Sequence, residues 1–443
     1  MNDLTTRLEA LSPKRRELLE LELRKRQASH LIRSGQSARA AMPAMPAKPA
    51  ESAESARREG PPSYAGAFNP AVRTGGTGKG MRFSLFFFSD DGTNVAEDKY
   101  RLLLECARFA DAHDFTAIWT PERHFQDFGG LYPNPSVLGA ALAMITERLQ
   151  IRAGSVALPL HSPIRVAEEW SVVDNLSKGR VGVSFASGWH PYDFVLAPQA
   201  YEGRKEIMFE NVRLIQRLWA GETIGFQGVD GTEAQVRVLP KPIQSQLPTW
   251  ITIASSTESW IKAGEIGANV LTIIVKQPLE VLREKISLYR GSLARHGHDP
   301  ASGQVAVMLH ACVGPDNNAV REKVRGPLSH YFRSNLKQLD GYTELLAKLR
   351  TKSAAPDVQN LTESDLDAVA AYAFERYFET SLLCGTPDKC SRLVDQLIEI
   401  GVDEAACLVD FGLGFEDVME SLQYLNILRE RYALTAERET VCA

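Results

Sequence analysis

"LQIRAGSVALPLHSPIRVAEEWSVVDNLSKGRVGVSFASG", residues 149–188, reads as strand, helix, strand. Residues 149–160 are a strand-like run. Ser162 and Pro163 supply a helix cap and a first-turn proline, and Gly179 ends the helix. "VGVSFASG" (181–188) returns to strand character. The alternation continues in both directions. Upstream lie "RFSLFFF" (82–88), a helix with Leu102, Leu103, Cys106, Phe109 and Ala110 on one face, and "FTAIWT" (115–120). A helix capped by Asn134 follows, with Pro135 in its first turn and Leu138, Ala141, Leu142 and Ile145 at helical spacing. Downstream come "TWITIAS" (249–255), "NVLTIIV" (269–275), "QVAVMLHACVG" (304–314) and "EAACLVDFG" (404–412). The last helix carries Val418, Leu422, Leu425 and Leu428.

Eight strand candidates alternating with helices indicate a parallel sheet covered by helices. Eight units over roughly 350 residues fit an α/β TIM (β/α)8 barrel with insertions better than an open sheet. The insertions fall at 221–248 and at about 316–380, the second mostly helical. An open doubly wound sheet would carry GxGxxG after its first strand, and "LFFFSDDG" does not supply it.

The first 80 residues differ. Residues 1–27 read as a helical, docking-like segment and 28–80 as a flexible Ala/Pro/Gly/Ser-rich linker, leaving 81–435 for the barrel. "GGTGKG" near the linker's end is not a phosphate loop: Arg73 stands where the first glycine belongs and Gly80 where Ser or Thr belongs. A chain of 443 residues with 44% hydrophobic and 24% charged content is globular in composition, and a net charge of −5 argues against bulk nucleic-acid binding. No apolar stretch reaches the ~20 residues of a membrane helix. Scattered cysteines without a CxxC pair read as reduced thiols of a cytoplasmic protein.

In such a barrel the functional groups collect on loops at the strands' C-terminal ends. The loop after strand two, "WTPERHFQDFGGLYPNP" (119–135), brings Glu122, Arg123 and His124 there. Gly154, Ser155 and His161 follow strand three, Ser187, Gly188, Trp189 and His190 strand four, and Ser255, Ser256 and Thr257 strand five. The three hydroxyls open a helix, a combination suited to phosphate. Gly182, Ser184 and Ala186 share one face of strand four, with room for a flat ligand if that face points inward. His124, His161 and His190 raise the question of a metal. No metal site is expected, because the sequence pattern offers no carboxylate partner and no close pairing.

"AIWTPERHF…YPNP", "GSVALPLHSPIRVAEEWSVVDNLSKGRVGVSFASGW" and "TIASSTESWIKAGEIG" resemble the luciferase-like flavin monooxygenases over about 81–435. The closest likeness is to the subgroup of nonribosomal peptide and polyketide (mupirocin-type) antibiotic biosynthesis. The resemblance implies reduced FMN bound at the strand C-termini and a C4a-(hydro)peroxyflavin that transfers oxygen. It also implies a separate reductase supplying FMNH2 and, in this subgroup, an acyl or aminoacyl substrate on a carrier protein. A homodimer is compatible with the family; nucleic acid and membrane are not expected partners. Luciferase has two adjacent histidines in the strand-two loop, the first a base. Here the positions hold Arg123 and His124, so His124 as base and Arg123 as anion stabiliser both stand, with His190 a second candidate. The family's strand-four arginine and cysteine are Ser187 and Ala186 here, which leaves Ser255, Ser256 and Thr257 as the phosphate donors the resemblance implies, with Gly154, Ser155, Ser187 and Gly188 as further cofactor-binding residues. A non-proline cis peptide would fall at or near Gly154–Ser155, and Trp119, Phe125 and Trp189 would help to cover the site. The competing readings are an F420-dependent oxidoreductase on the same barrel and a non-catalytic flavin-binding docking subunit.

Overall fold

The computed structural model describes residues 80–88, 98–126, 129–188, 190–274, 277–336 and 363–433. The chain divides into two units, Met1–Phe68 and Asn69–Ala443, and every described residue lies in the second. The helical segment expected at 1–27 and the linker up to residue 79 lie outside the described residues.

Strands β1 (Arg82–Phe86), β2 (Ala117–Thr120), β3 (Gln150–Ala157), β4 (Val181–Ala186), β7 (Thr249–Ile253), β8 (Asn269–Ile273), β9 (Val305–Val313) and β11 (Glu404–Leu408) pair in parallel in that order. β11 then pairs with β1, so the sheet closes into the expected eight-stranded barrel. The insertion at 221–248 contains an antiparallel hairpin of β5 (Ile224–Gln227) and β6 (Glu233–Val236). A short β10 (Leu383–Gly385), not anticipated from sequence, pairs with the end of β9.

Helices α1 (Arg101–Ala112), α2 (Pro135–Ala143), α3 (Pro163–Ser177), α4 (Arg204–Trp219), α5 (Thr257–Glu265) and α6 (Leu279–Arg295) connect the strands. α7 (Asn317–Leu336) and α8 (Glu363–Thr380) belong to the helical insertion, and α9 (Pro387–Glu399) and α10 (Phe415–Arg431) complete the chain. Asn134 caps α2 by accepting from the Ser136 and Val137 amides. Ser162 holds the cap position of α3 without a side-chain bond, and Lys178 and Gly179 end that helix at positive φ. The "DNLSKGR" stretch proves to be a structural knot. Asp174 accepts from the Ile243 and Gln244 amides at 2.7 and 3.0 Å, binding the insertion to α3. Arg180 donates to carbonyls at Ala143, Thr146 and Leu149, binding α2 to β4.

Strand register decides which side chains enter the barrel. Arg152 stands opposite Gly182 and Trp119, Ser184 opposite Trp250, and Glu404 opposite Ala306 and Arg82. Near its N-terminal end the lumen holds a buried ion pair: Arg152 Nη1 lies 3.0 Å from both Glu404 oxygens. The guanidinium stacks on Trp119 and Trp250, at 4.7 and 4.4 Å from their ring centroids. Ser84 and the Trp119 indole also donate to Glu404, at 2.6 and 3.2 Å. Trp119 is therefore core and cannot cover the site. Gly182 is required here, because a Cβ would lie 2.7 Å from the Trp250 ring. The five cysteines of the described residues are buried and unpaired, as core.

Removing one partner of such a pair strands the other charge. Glu404→Leu should lower unfolding free energy by about 3–5 kcal/mol, and Arg152→Met/Glu404→Leu should recover most of it. Urea denaturation of the three proteins checks this; equal losses for single and double variants would contradict it.

Candidate active site at the mouth of the barrel

Above the tryptophan layer the inner faces become small and hydroxylic. β3 carries one extra residue between Ala153 and Val156, so its inward parity changes partway along. The bulge turns Ser155 towards Thr252, Oγ to Oγ1 3.0 Å, and Thr252 lies 2.6 Å from Ser184 Oγ. Gly154 is packed under the Phe86 ring, where a Cβ would approach to 2.8 Å. The cis peptide expected at Gly154–Ser155 is not there; among the described residues the cis bond is Leu239–Pro240. The bulge makes the local turn instead. The small face of β4 does point inward, but Trp250 and Arg152 fill the space at Gly182, so room remains only towards Ser184 and Ala186.

The loops after β2 and β4 meet over this floor. Glu122 is buried and acts as a hub. One carboxylate oxygen accepts from His124 Nε2 at 2.8 Å and His161 Nε2 at 2.5 Å, and the other accepts the Ala157 amide at 2.7 Å. Burial alone would raise the Glu122 carboxyl, but the bonds from His124 and His161 outweigh it and hold it at about 2. Burial would lower His161, and its bond to Glu122 wins and raises it. The carboxylate partner that the sequence pattern did not offer is thus present. Glu122, His124 and His161 bring one ligand-type atom each within 4.8 Å of one another, so the ground for expecting no metal is removed. Hydrogen bonds to one shared carboxylate account for the arrangement without a cation.

Arg123 is buried beside this hub, its guanidinium 5.3 Å from the Phe88 ring centroid and 3.4 Å from Gln126 Oε1. Gln126 in turn contacts His190 at 3.1 Å. Asp193, on the short helical turn after His190, has its carboxyl raised by burial against the pull of Arg123, His124 and His190. The three residues expected to be catalytic are therefore brought together. Glu122, placed at the mouth in the sequence without a role, proves to be the residue that both His124 and His161 bond. Gln126 and Asp193 were missed, because an amide and a carboxylate in loops give no signal before the loops are juxtaposed. Ser187 and Gly188 follow β4; Gly188 takes φ 72°, and a side chain there would strike Phe194. Trp189 lies outside the described residues. Phe125 is 56% exposed at the rim.

At the end of β7, Ser255 and Thr257 are exposed and open α5. Ser256 Oγ caps α5, accepting the Ser259 amide at 3.3 Å, which leaves its own O–H to donate. Lys285, also missed, braces the turn from behind, donating to the Ser255 carbonyl at 2.9 Å and to Gln277 at 2.8 Å.

A closed parallel barrel whose strand ends gather ionisable groups over a small-residue floor defines an enzyme of the barrel-mouth class. Residues 81–404 match the model of the luciferase-like monooxygenase family. The chain belongs to that family and is a flavin-dependent oxidoreductase. It is 28% identical over 262 residues to an alkanal monooxygenase alpha chain of Photorhabdus luminescens, covering 57% of this chain and 70% of the relative. It is 24% identical over 353 residues to the oxygenase component of a flavin-dependent trigonelline monooxygenase of Acinetobacter baylyi, covering 77% and 93%. Among solved structures the fold is similar to monooxygenase RslO1 of Streptomyces bottropensis (TM-score 0.64, 22% identity, 80% and 100% covered). It is also similar to the 3,6-diketocamphane monooxygenase component of Pseudomonas putida in complex with FMN (0.60, 18%, 80% and 98%). An F420-dependent secondary alcohol dehydrogenase shares the fold too (0.57, 15%, 79% and 99%). No helix among the described residues is long and apolar enough to cross a membrane. The site suits a flavin phosphate and ring: exposed hydroxyls at a helix N-terminus match a phosphate, and Ser155, Ser184 and Ala186 leave a shallow floor.

Glu122→Gln should destabilise the protein by about 2 kcal/mol near pH 6, since charge-assisted bonds to both histidines are lost. Glu122, held low, contributes stability above its ordinary 4.5 and loses it as pH falls towards about 2. His161, held high, contributes below its ordinary 6.5 and loses it as pH rises through its raised value. The gap between wild type and variant should therefore peak between these limits and narrow on both sides. Denaturation across pH checks this; a flat difference would contradict it.

Proposed function

We propose that the protein uses reduced FMN and dioxygen to hydroxylate an acyl or aminoacyl group held on a carrier protein of a peptide or polyketide assembly line. A separate reductase supplies the FMNH2. The observation that carries this reading is the meeting of Arg123, His124 and His190 over a hydroxyl-lined floor on the same rim as the Ser255–Thr257 turn. The sequence likeness to the natural-product subgroup and the Ala/Pro-rich tether support the carrier-bound substrate.

Ser255, Thr257 and the first amides of α5 would hold the phosphate, with Ser256 ordering the turn and Lys285 bracing it. Gly154, Ser155, Ser187 and Gly188 would line the approach to the ring. Bound reduced flavin supplies the electrons that activate dioxygen. His124 donates from Nε2 to the Glu122 carboxylate, which leaves Nδ1 to exchange a proton at the reacting oxygen. Arg123 stabilises negative charge developing there, and His190, tied to Arg123 through Gln126, sets the guanidinium's position. Water must be kept out, and Phe125, Tyr192, Val195 and Leu196 at the rim are exposed apolar groups available to cover the site.

The experiment is intact-mass analysis of a carrier-bound acyl panel after incubation with protein, reductase, FMN and air; the product gains one oxygen. Ser255→Ala/Thr257→Ala should weaken FMN binding about tenfold or more. His124→Ala should keep FMN binding, lose product and release hydrogen peroxide. Unchanged turnover in His124→Ala would remove its role. Tight F420 binding without dioxygen consumption would replace the monooxygenase reading with the F420 one.

A further inference from the structure

His310 lies on β9, and the register that sends Glu404 inward opposite Ala306 sends Met308 and His310 inward as well. Its position is four residue pairs above the Glu404 layer, opposite Leu408 at the end of β11. The imidazole is 1% exposed, and neither ring nitrogen has a hydrogen-bond partner among the described residues. Three aromatic rings box it in: Tyr331 at 4.4 Å, Phe411 at 5.3 Å and Phe332 at 6.1 Å between centroids. Burial pushes the imidazole down to about 3, so it stays neutral at physiological pH. Tyr331, the nearest ring, also acts electrostatically on Arg123, so the box borders the cluster assigned above to oxygen chemistry.

An unbonded buried donor and acceptor are costly, and native interiors satisfy such groups. A leucine would fill an apolar box at no such cost. We propose that His310 is a substrate-recognition residue, whose neutral ring N–H donates to the carbonyl oxygen of an otherwise apolar acyl substrate lodged against Tyr331, Phe332 and Phe411. The proposal rests on the monooxygenase reading for the identity of the ligand as substrate. It also restricts that substrate. A neutral imidazole among aromatic rings has no charge to offer a carboxylate, so the group met here is a thioester, ketone or aldehyde carbonyl. A ligand with no polar atom leaves the imidazole as it was, and is rejected by comparison.

The test uses the full chain, with and without FMN, labelled for nitrogen NMR of the histidine rings; His310→Gln identifies the His310 signals. The probes are octanoyl pantetheine, 2-decanone, decane and decanoate. Octanoyl pantetheine and 2-decanone should shift the His310 ring signals, and decane and decanoate should not. His310→Phe should bind 2-decanone about tenfold or more weaker while binding decane at least as well. His310→Gln, which keeps an amide donor, should recover part of the ketone preference. FMN affinity should be unchanged in both variants. If His310→Phe does not fold, the wild-type ring signals and the Gln variant decide. Ring signals that no probe moves, or that a bound water alone accounts for, overturn the proposal. So does an undiminished ketone preference in His310→Phe. A chain that takes up no flavin yet shows the carbonyl-dependent shifts keeps this site and discards the monooxygenase reading. A chain that hydroxylates with silent His310 signals does the reverse.

Discussion

A guanidinium and a carboxylate, both shut off from solvent, lie across the lumen of the barrel and hold β3 to β11. Their attraction must offset a large desolvation cost, and the geometry shows how: Arg152 is sandwiched between Trp119 and Trp250, while Glu404 also accepts from Ser84 and the Trp119 indole. This arrangement packs the lower lumen with buried side chains. Burial raises the Glu404 carboxyl and the facing Arg152 brings it below its ordinary range, so the pair stays ionised. A ligand has access only from above, and the tryptophan layer sets the depth at which it stops.

The upper lumen is organised differently, by hydroxyls and by one carboxylate that several groups share. Ser155, Thr252 and Ser184 form a chain that depends on the extra residue in β3, since a regular strand would turn Val156 inward in place of Ser155. Glu122 fixes His124, His161 and the backbone at Ala157 at once. Loops that would otherwise be independent thus share one anchor, and His124, proposed above as the proton-exchanging group, is placed by a residue that need not touch the substrate.

Much of the scaffold could be read from the chain because hydrophobic periodicity and helix punctuation are local. All eight barrel strands, the Asn134 cap and both insertions follow from residues within a few positions of one another. β10 was invisible because three residues, Leu383–Gly385, carry no periodic signal. The site was legible as a set of loops but not as a set of contacts. Arg123, His124 and His190 could be nominated, yet Gln126 meets His190 64 residues on, Lys285 bonds Ser255 30 residues back and Asp193 faces Arg123 from the loop after β4. Trp119 was misplaced for a related reason: on a four-residue strand only the pairing with Arg152 tells which face is inside. The carboxylate of Glu122 was visible, but its partner His161 stands 39 residues on.

β9 changes neighbour partway along. Glu404 to Leu408 accompany its first part, up to His310, and β10 takes over at Ala311. The strand therefore continues past the rim as a spur, and the α7–α8 arm is rooted on it through the paired backbone of β10. The start of α7 and the end of α8 are thereby tied, within a few residues of each, to one parallel ladder. The rings of Tyr331 and Phe332 near the far end of α7 are thus carried over His310 by a helix whose base is fixed to the same strand that bears the imidazole.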